Sequence, residues 1–215
     1  MMHEAIDKPA ILLIGSGGHS HACIDAIEQD GRFRIFGLVC SDGEDHADRL
    51  GYAVVGSDAH LPALALKCRN AIIAVGQIRS PEPRMRLFMQ AQNLGLGLPA
   101  IVSGRAYVSP HARLGPGTLV MHGAIINAGA IVGSNCIVNS NALIEHDAQV
   151  GDHCHIATGA ILNGGVQVGT GSFIGSGSVV REGVRIGSCC LVGMGQSVRH
   201  PMTDHEHQWA KDRRL

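Results

Sequence analysis

The chain has 215 residues, 45% of them hydrophobic yet only 3% aromatic, and a formal net charge of −1. That length holds two modest domains, and the composition predicts cores of small and branched side chains rather than of rings. Near-neutrality without a Lys/Arg block argues against nucleic acid or an anionic membrane surface as the main partner, and no stretch of about 20 apolar residues is present to cross a bilayer.

The opening MMHEAIDKPAILLIGSGGH carries too short an apolar run for a secretory signal. Ala10 to Ile14 reads as a buried strand, Gly15 to His19 as a turn, Ala22 to Glu28 as a helix and Arg34 to Cys40 as a second strand. A further strand over Ala71 to Val75 ends in Gly76, and a helix from about Arg84 to Asn93 leads to Gly95. This alternation predicts a small α/β unit with a parallel sheet over residues 1–98. Its first turn, Ser16-Gly17-Gly18-His19, presents backbone N–H groups at a helix start, where a phosphate or diphosphate fits; the competing reading is a purely structural glycine turn. Ser20 stands where a dinucleotide fingerprint has its third glycine, and the unit lacks the second mononucleotide-binding half, which argues against a redox dinucleotide.

From residue 99 the pattern changes. Seventeen aliphatic residues fall in strict six-residue register from Val102 and Val108 to Val192 and Val198. Neither an amphipathic helix nor an ordinary strand has that period, whereas a parallel β-helix does, each hexad forming one side of a triangular coil. Two positions earlier the register is small (Ala100, Ala106, Thr118, Cys136, Cys154, Ala160), as an inward corner requires. Glycines that follow the aliphatic residue, such as Gly115, Gly133 and Gly169, mark turns that need positive φ or close backbone approach. Three hexads make an eighteen-residue coil, so Asn127, Glu145 and Asn163 stack, as do Asn135 and His153, and His122, Ser140 and Thr158. The β-helix is expected over 99–198, with 199–215 a polar tail packing as a short helix against the last coil. The seven cysteines are odd in number and three of them sit at the small inward position, which predicts reduced, buried thiols and a cytoplasmic protein.

Polar residues on a β-helix exterior need no special explanation, but Asn127, Asn139, Asn141, Glu145, His146, Asp147, His153 and His155 concentrate within about two coils. Imidazole beside carboxylate, as in His146-Asp147, suits a general base; the alternative is a solvated surface pair.

The GSGGH turn, the GQIRSPEPRMRLF segment at 76–88 and the strings IEHDAQVGDHCHIATGA and NGGVQVG together resemble the hexapeptide-repeat acetyltransferases of the sialic acid O-acetyltransferase and nucleotide-amino-sugar N-acetyltransferase group. The resemblance implies a Rossmann-like acceptor-binding domain followed by a left-handed parallel β-helix, acetyl-CoA as cosubstrate without a metal, and a homotrimer with active sites between neighbouring β-helices. It implies His146 as the catalytic base with Asp147 as its partner. Acetyl-CoA is expected at His155, Gly164, Ser176, Gly177, Gly193 and Gly195, and the nucleotide or sugar-phosphate of the acceptor at Ser16, Gly17, Gly18, His19, Asp42 and Gly76. Two departures stand out: Cys40-Ser41 replaces the acidic pair after the second strand, leaving Asp42 as the nearest acid, and the chain ends MTDHEHQWAKDRRL instead of in a Gly-x-Pro-Ala-Lys segment.

The function so implied is acetyl transfer from acetyl-CoA to the amino group of a nucleotide-linked amino sugar by direct attack. O-acetylation of a sialic or related nonulosonic acid is the alternative within the class. Outside it stand a zinc-dependent lyase using His122, His146, His153 and His155 and a non-enzymatic sugar-nucleotide sensor.

Overall fold

The computed structural model describes residues 8–43 and 47–209. Strands β1 (Ala10–Ile14), β2 (Arg34–Cys40), β3 (Val54–Ser57) and β4 (Asn70–Ile73) form a parallel sheet in the order β3-β2-β1-β4. Ile11 to Ile14 are fully buried because both faces of the sheet are covered. On one face Leu12, Ile14 and Val39 pack against Leu61, Leu64, Leu87 and Phe88 of α2 (Leu61–Lys67) and α3 (Glu82–Asn93). On the other, Ile11, Leu13 and Leu38 meet Cys23, Ile24 and Ile27 of α1 (Gly18–Asp30), and the same cluster continues into Ile101, Leu119 and Ile137 of the β-helix.

The expected first helix is longer at both ends, starting directly after Gly17 and stopping at Gly31, whose φ of 71° lets its N–H close on the Ile27 carbonyl. Strand β4 starts and stops earlier than expected, since beyond Ile73 the chain leaves the ladder. Strand β3 and helix α2 had no sequence counterpart, being too short to show a period.

Beyond residue 100 each hexad contributes a two-residue strand, and every third strand pairs in parallel with the one before, as Ile137 does with Leu119 and His155. Three faces result. The first runs from Ile101–Val102 to His207–Gln208, the second from Tyr107–Val108 to Ser197–Val198, and the third from Arg113–Leu114 to Arg185–Ile186. This is a left-handed parallel β-helix. The aliphatic register fills its interior, from Val120 at 0% exposed to Val198 at 1%. The small register does more than fit a corner: the Thr118 and Ser172 hydroxyls and the Cys136 and Cys154 thiols each donate to the carbonyl of the glycine fifteen residues on, at 2.7–3.1 Å. Burying such a donor requires an acceptor, and the glycine carbonyl supplies it.

Of the two roles anticipated for the turn glycines, Gly115 shows close approach. A Cβ there would lie 2.5 Å from the Gly133 carbonyl carbon of the next coil. Positive φ falls two residues later, at Gly117 and, in other turns, at Asn135, Asn141, Asp147 and His153.

The tail departs from the expected helix. Met202 bridges to Ile186, His207–Gln208 pairs with Leu191–Val192, and Trp209 packs within 3.0 Å of where a Cβ on Gly193 would stand. A further partial coil thus covers the strand edge that would otherwise be exposed; residues 210–215 lie outside the described part. All seven cysteines are free thiols, and only Cys189 is other than buried. No helix among the described residues is long and apolar enough to cross a membrane.

Candidate active site

Each turn between faces forms an edge of the prism. His146 and Asp147 lie on the edge following the second face. Asp147 takes the positive-φ turn position, at 60°, which a short polar side chain tolerates. From there its carboxylate reaches Nδ1 of His146 at 2.9 Å. Nδ1–H donates to Asp147, so Nε2 keeps the lone pair, the tautomer a base requires. Nε2 stands 2.7 Å from where a Cβ on Gly164 would be, so the ring lies over a residue whose missing side chain makes room for it. The hydrogen bond that His146 donates to the Asp147 carboxylate holds the imidazole above its ordinary pKa. Both side chains are open to solvent, at 67% and 74% exposed. Glu145, the acid on the other side, accepts instead from Asn127 Nδ2 at 2.8 Å, within the column read from the sequence, and from the His146 backbone N–H.

His155 sits elsewhere. It points outward from the first face and is 7% exposed beneath the segment that follows β4. Its Nδ1–H donates to the Gln77 carbonyl at 2.6 Å, and its Nε2 accepts from Asn139 Nδ2 at 3.1 Å. Burial pushes its pKa down to about 4. Both ring nitrogens are therefore engaged within the chain, joining the two domains.

The Ser16–His19 turn lies at the mouth of the same junction. Ser16 is buried, and its carbonyl accepts from Arg49 Nε at 2.8 Å. Gly17 and Gly18 have open space where a Cβ would be, and the first turn of α1 carries no acidic residue, so the helix N-terminus is left clear for an anion. His19 packs against Gly76, its Nε2 is buried without a partner, and burial lowers its pKa to about 3, with the Arg84 guanidinium and His155 adding to the shift. Asp42 is exposed in the turn after β2.

Of three residues that tie this junction together, Asn139 belongs to the polar cluster read from the sequence, while Arg84 and Gln77 were not singled out individually. Arg84 is fully buried and donates to the carbonyls of Ile73, Val75 and Asn135 at 2.7, 2.8 and 3.2 Å. Gln77 Nε2 reaches the Gly171 carbonyl, and Asn139 holds His155. The signal was a lone arginine on the otherwise apolar face of α3, with Leu87, Phe88 and Ala91.

The remaining expected coenzyme residues divide between two edges. Gly164 shares the His146 edge. Ser176, Gly177 and Gly195 lie in turns that follow the first face, with Gly193 buried at the start of its turn. The zinc reading drew its ligands from these four histidines across neighbouring subunits. Within one chain they stand apart: His122 binds Asp25 at 2.7 Å and Ser103 at 2.6 Å on the edge after the first face, His153 binds Asn135 on the edge after the third, and His146 and His155 stand as described.

The two principal histidines cannot meet in one chain. Nine residues are half of an eighteen-residue coil, so His146 occupies the edge opposite the face that carries His155.

A Rossmann-like sheet docked on a left-handed hexapeptide β-helix, with a histidine-carboxylate pair on one edge, defines a coenzyme A-dependent acyltransferase. Residues 10–90 match the PglD N-terminal domain, and residues 111–146 and 147–182 match the bacterial transferase hexapeptide repeats. Perosamine N-acetyltransferase from Caulobacter crescentus, solved with CoA and GDP-perosamine, is 34% identical over 91% of this chain and 90% of its own, with a TM-score of 0.85. The acetyltransferase domain of PglB from Neisseria gonorrhoeae, solved with acetyl coenzyme A, is 28% identical over 93% and 95%, with a TM-score of 0.86. WeeI from Acinetobacter baumannii shares the fold at 20% identity and a TM-score of 0.80. No curated protein matches the chain. The chain belongs to the PglD-type nucleotide-amino-sugar acetyltransferase family of hexapeptide-repeat enzymes.

Proposed function

We propose that the protein transfers the acetyl group of acetyl-CoA to the amino group of a nucleotide-linked amino sugar. The observation that carries this reading is the likeness over nine-tenths of both chains to an N-acetyltransferase solved with CoA and a GDP-amino sugar. The N-terminal domain, 1–98, takes the acceptor and the β-helix supplies the transfer site. Ser16, Gly17, Gly18, His19, Asp42 and Gly76 line the acceptor side, with the diphosphate at the N-terminus of α1.

In the reaction the neutral amine attacks the thioester carbonyl, forming a C–N bond as the C–S bond breaks. His146 Nε2 accepts the proton from the attacking nitrogen and returns it to the departing thiolate, while Asp147 fixes the ring and stabilises the imidazolium. Gly164 leaves the ring and the thioester room, and Ser176, Gly177, Gly193 and Gly195 border the rest of the coenzyme path. His155, with both nitrogens occupied, acts by shaping the crevice.

The assembly is a homotrimer. Outward positions on the first coils of the first face are apolar and covered by the N-terminal domain (Ile101, Leu119, Ile137), and those on the third face are mainly polar (Arg113, Gln149, Gln167, Arg185). Those on the second face are apolar yet uncovered: Tyr107, Ile125 and Val179 are 54%, 40% and 37% exposed. An apolar column of this kind, bordered by the His146 edge, fits a subunit interface. Packing there brings the base of one protomer to the crevice of the next. Seven free thiols and a small-molecule donor fit a cytoplasmic enzyme.

The test is a panel of UDP-, GDP- and dTDP-linked amino sugars and free nonulosonic acids, with CoA release followed by thiol titration. Turnover of an amino-sugar nucleotide with formation of an amide supports the reading. Turnover confined to hydroxyl acceptors overturns it.

A further inference from the structure

The His146 and Asp147 side chains reach across three coils. Residues eighteen apart lie on neighbouring coils, so Ala128 and Gly164 flank His146, and Gly129 and Gly165 flank Asp147. The imidazole leans toward the following coil, with Nε2 2.7 Å from where a Cβ on Gly164 would stand. The carboxylate leans the other way. Its Oδ2 accepts from His146 Nδ1, while its Oδ1 occupies the space that a Cβ on Gly129 would fill. Gly165, on the opposite side of Asp147, has nothing within 4 Å of its Cβ position.

Positive φ alone does not account for Gly129. Its φ is 76°, yet Asn135, Asn141, Asp147 and His153 hold 54° to 60° at the same turn position without being glycine. Backbone packing does not account for it either. The backbone atom nearest to that Cβ position is the Asp147 nitrogen at 3.5 Å, an ordinary contact. What a methyl group there would meet is the end of the Asp147 side chain.

We propose that Gly129 is a positioning residue for the base: the absence of a side chain there lets the Asp147 carboxylate fold onto the preceding coil and turn one oxygen to His146. The inference rests on His146 being the base, and adds what sets its partner. A side chain at 129 displaces the carboxylate, the group easiest to move, because Asp147 is 74% exposed and can swing into solvent while the coil stays in place. The ring then loses its acceptor at Nδ1, and with it the tautomer that leaves Nε2 free. Asp147 and Glu145 are the charged groups acting on the ring. The flanking coils bring uncharged residues there, 127–129 before and 163–165 after, and Glu145 is held by Asn127, so nothing takes the place of the displaced carboxylate.

The test follows the His146 ring by NMR through a pH titration, which needs no turnover. In Gly129→Ala the His146 pKa falls by at least half of the drop that Asp147→Asn produces. Gly129→Asn, a residue type that takes the left-handed φ at Asn135 and Asn141, gives a fall of the same size, which separates lost space from backbone strain. Gly183→Ala, at φ 66° on the same edge with open space at its Cβ position, carries that strain and leaves the His146 pKa unchanged. Added to Asp147→Asn, Gly129→Ala moves the pKa no further. A wild-type His146 pKa in both Gly129 variants overturns the positioning role, as does an equal fall in Gly183→Ala. The expected shifts in a protein that acetylates no amino sugar support the positioning role and overturn the proposed reaction alone.

Discussion

His146 and His155 share one coil and a residue type, and differ in nearly everything else. His146 stands on an edge, open to solvent, with a carboxylate that raises its pKa. His155 lies on the opposite face, buried under the Gln77 carbonyl, with a pKa of about 4. One is free to gain a proton; the other spends both nitrogens holding two domains together. A histidine is left open to take up a proton or is engaged as a strut according to which side of the prism its register assigns it.

The widest effect should come from the face between them. Ile125→Glu and Val179→Glu place charges on the uncovered apolar column, and sedimentation should show monomers with transfer activity lost. A trimer that persists breaks the assignment of that face.

Next in size is His146→Ala, expected to lower kcat by 10²–10⁴-fold. Activity within a fewfold of wild type with an amino-sugar acceptor removes the base role. A mixing experiment sharpens this. If base and crevice come from different protomers, randomly mixed trimers of His146→Ala and an inactive crevice variant such as Gly18→Trp regain up to about a quarter of wild-type activity; no recovery puts both groups in one chain.

Asp147→Asn should cost about tenfold in kcat, because the ring loses its orienting partner. It should also move the acid limb of the pH–rate profile. Asp147 raises the His146 pKa, so without it the base stays neutral to lower pH and the limb shifts downward. An upward shift would contradict the assigned contact.

The buried side of the comparison is read through stability. His155 titrates at about 4 in the folded protein and near 6.5 when unfolded. The unfolded state therefore binds more protons between those values, and stability present above pH 6.5 is lost as the pH falls toward 4, by about 3 kcal/mol for this group. His19, with a folded value of about 3, adds in the same direction. Urea midpoints should decline over that range, and His155→Gln should flatten the decline. His155→Ala at neutral pH leaves the Gln77 carbonyl and Asn139 amide unpaired, at a cost of about 2 kcal/mol.

Much of this was legible beforehand. The six-residue register predicts the β-helix because only an inward position repeated on every side of a triangular coil demands an aliphatic residue at that spacing. The Asn127–Glu145 and Asn135–His153 contacts follow from the eighteen-residue coil. The separation of His146 from His155 within one protomer was also present in the sequence, as a spacing of nine, because half a coil means the far side. The outward residues, read at a period of eighteen, distinguish covered, uncovered and polar faces in the same way.

By itself, then, the sequence determined the local and periodic features: strand, turn and coil, the inward ladder, the His146-Asp147 neighbours and the glycine turn before α1. These depend on residues adjacent in the chain or one coil apart, so spacing encodes them. Only the tertiary structure decided how the N-terminal domain sits on the first face. Arg84 and Gln77, Asn139, and His155 come from three separate segments and meet because apolar burial of α1 against Ile101, Leu119 and Ile137 fixes the docking. No spacing within the chain records a contact made by that packing.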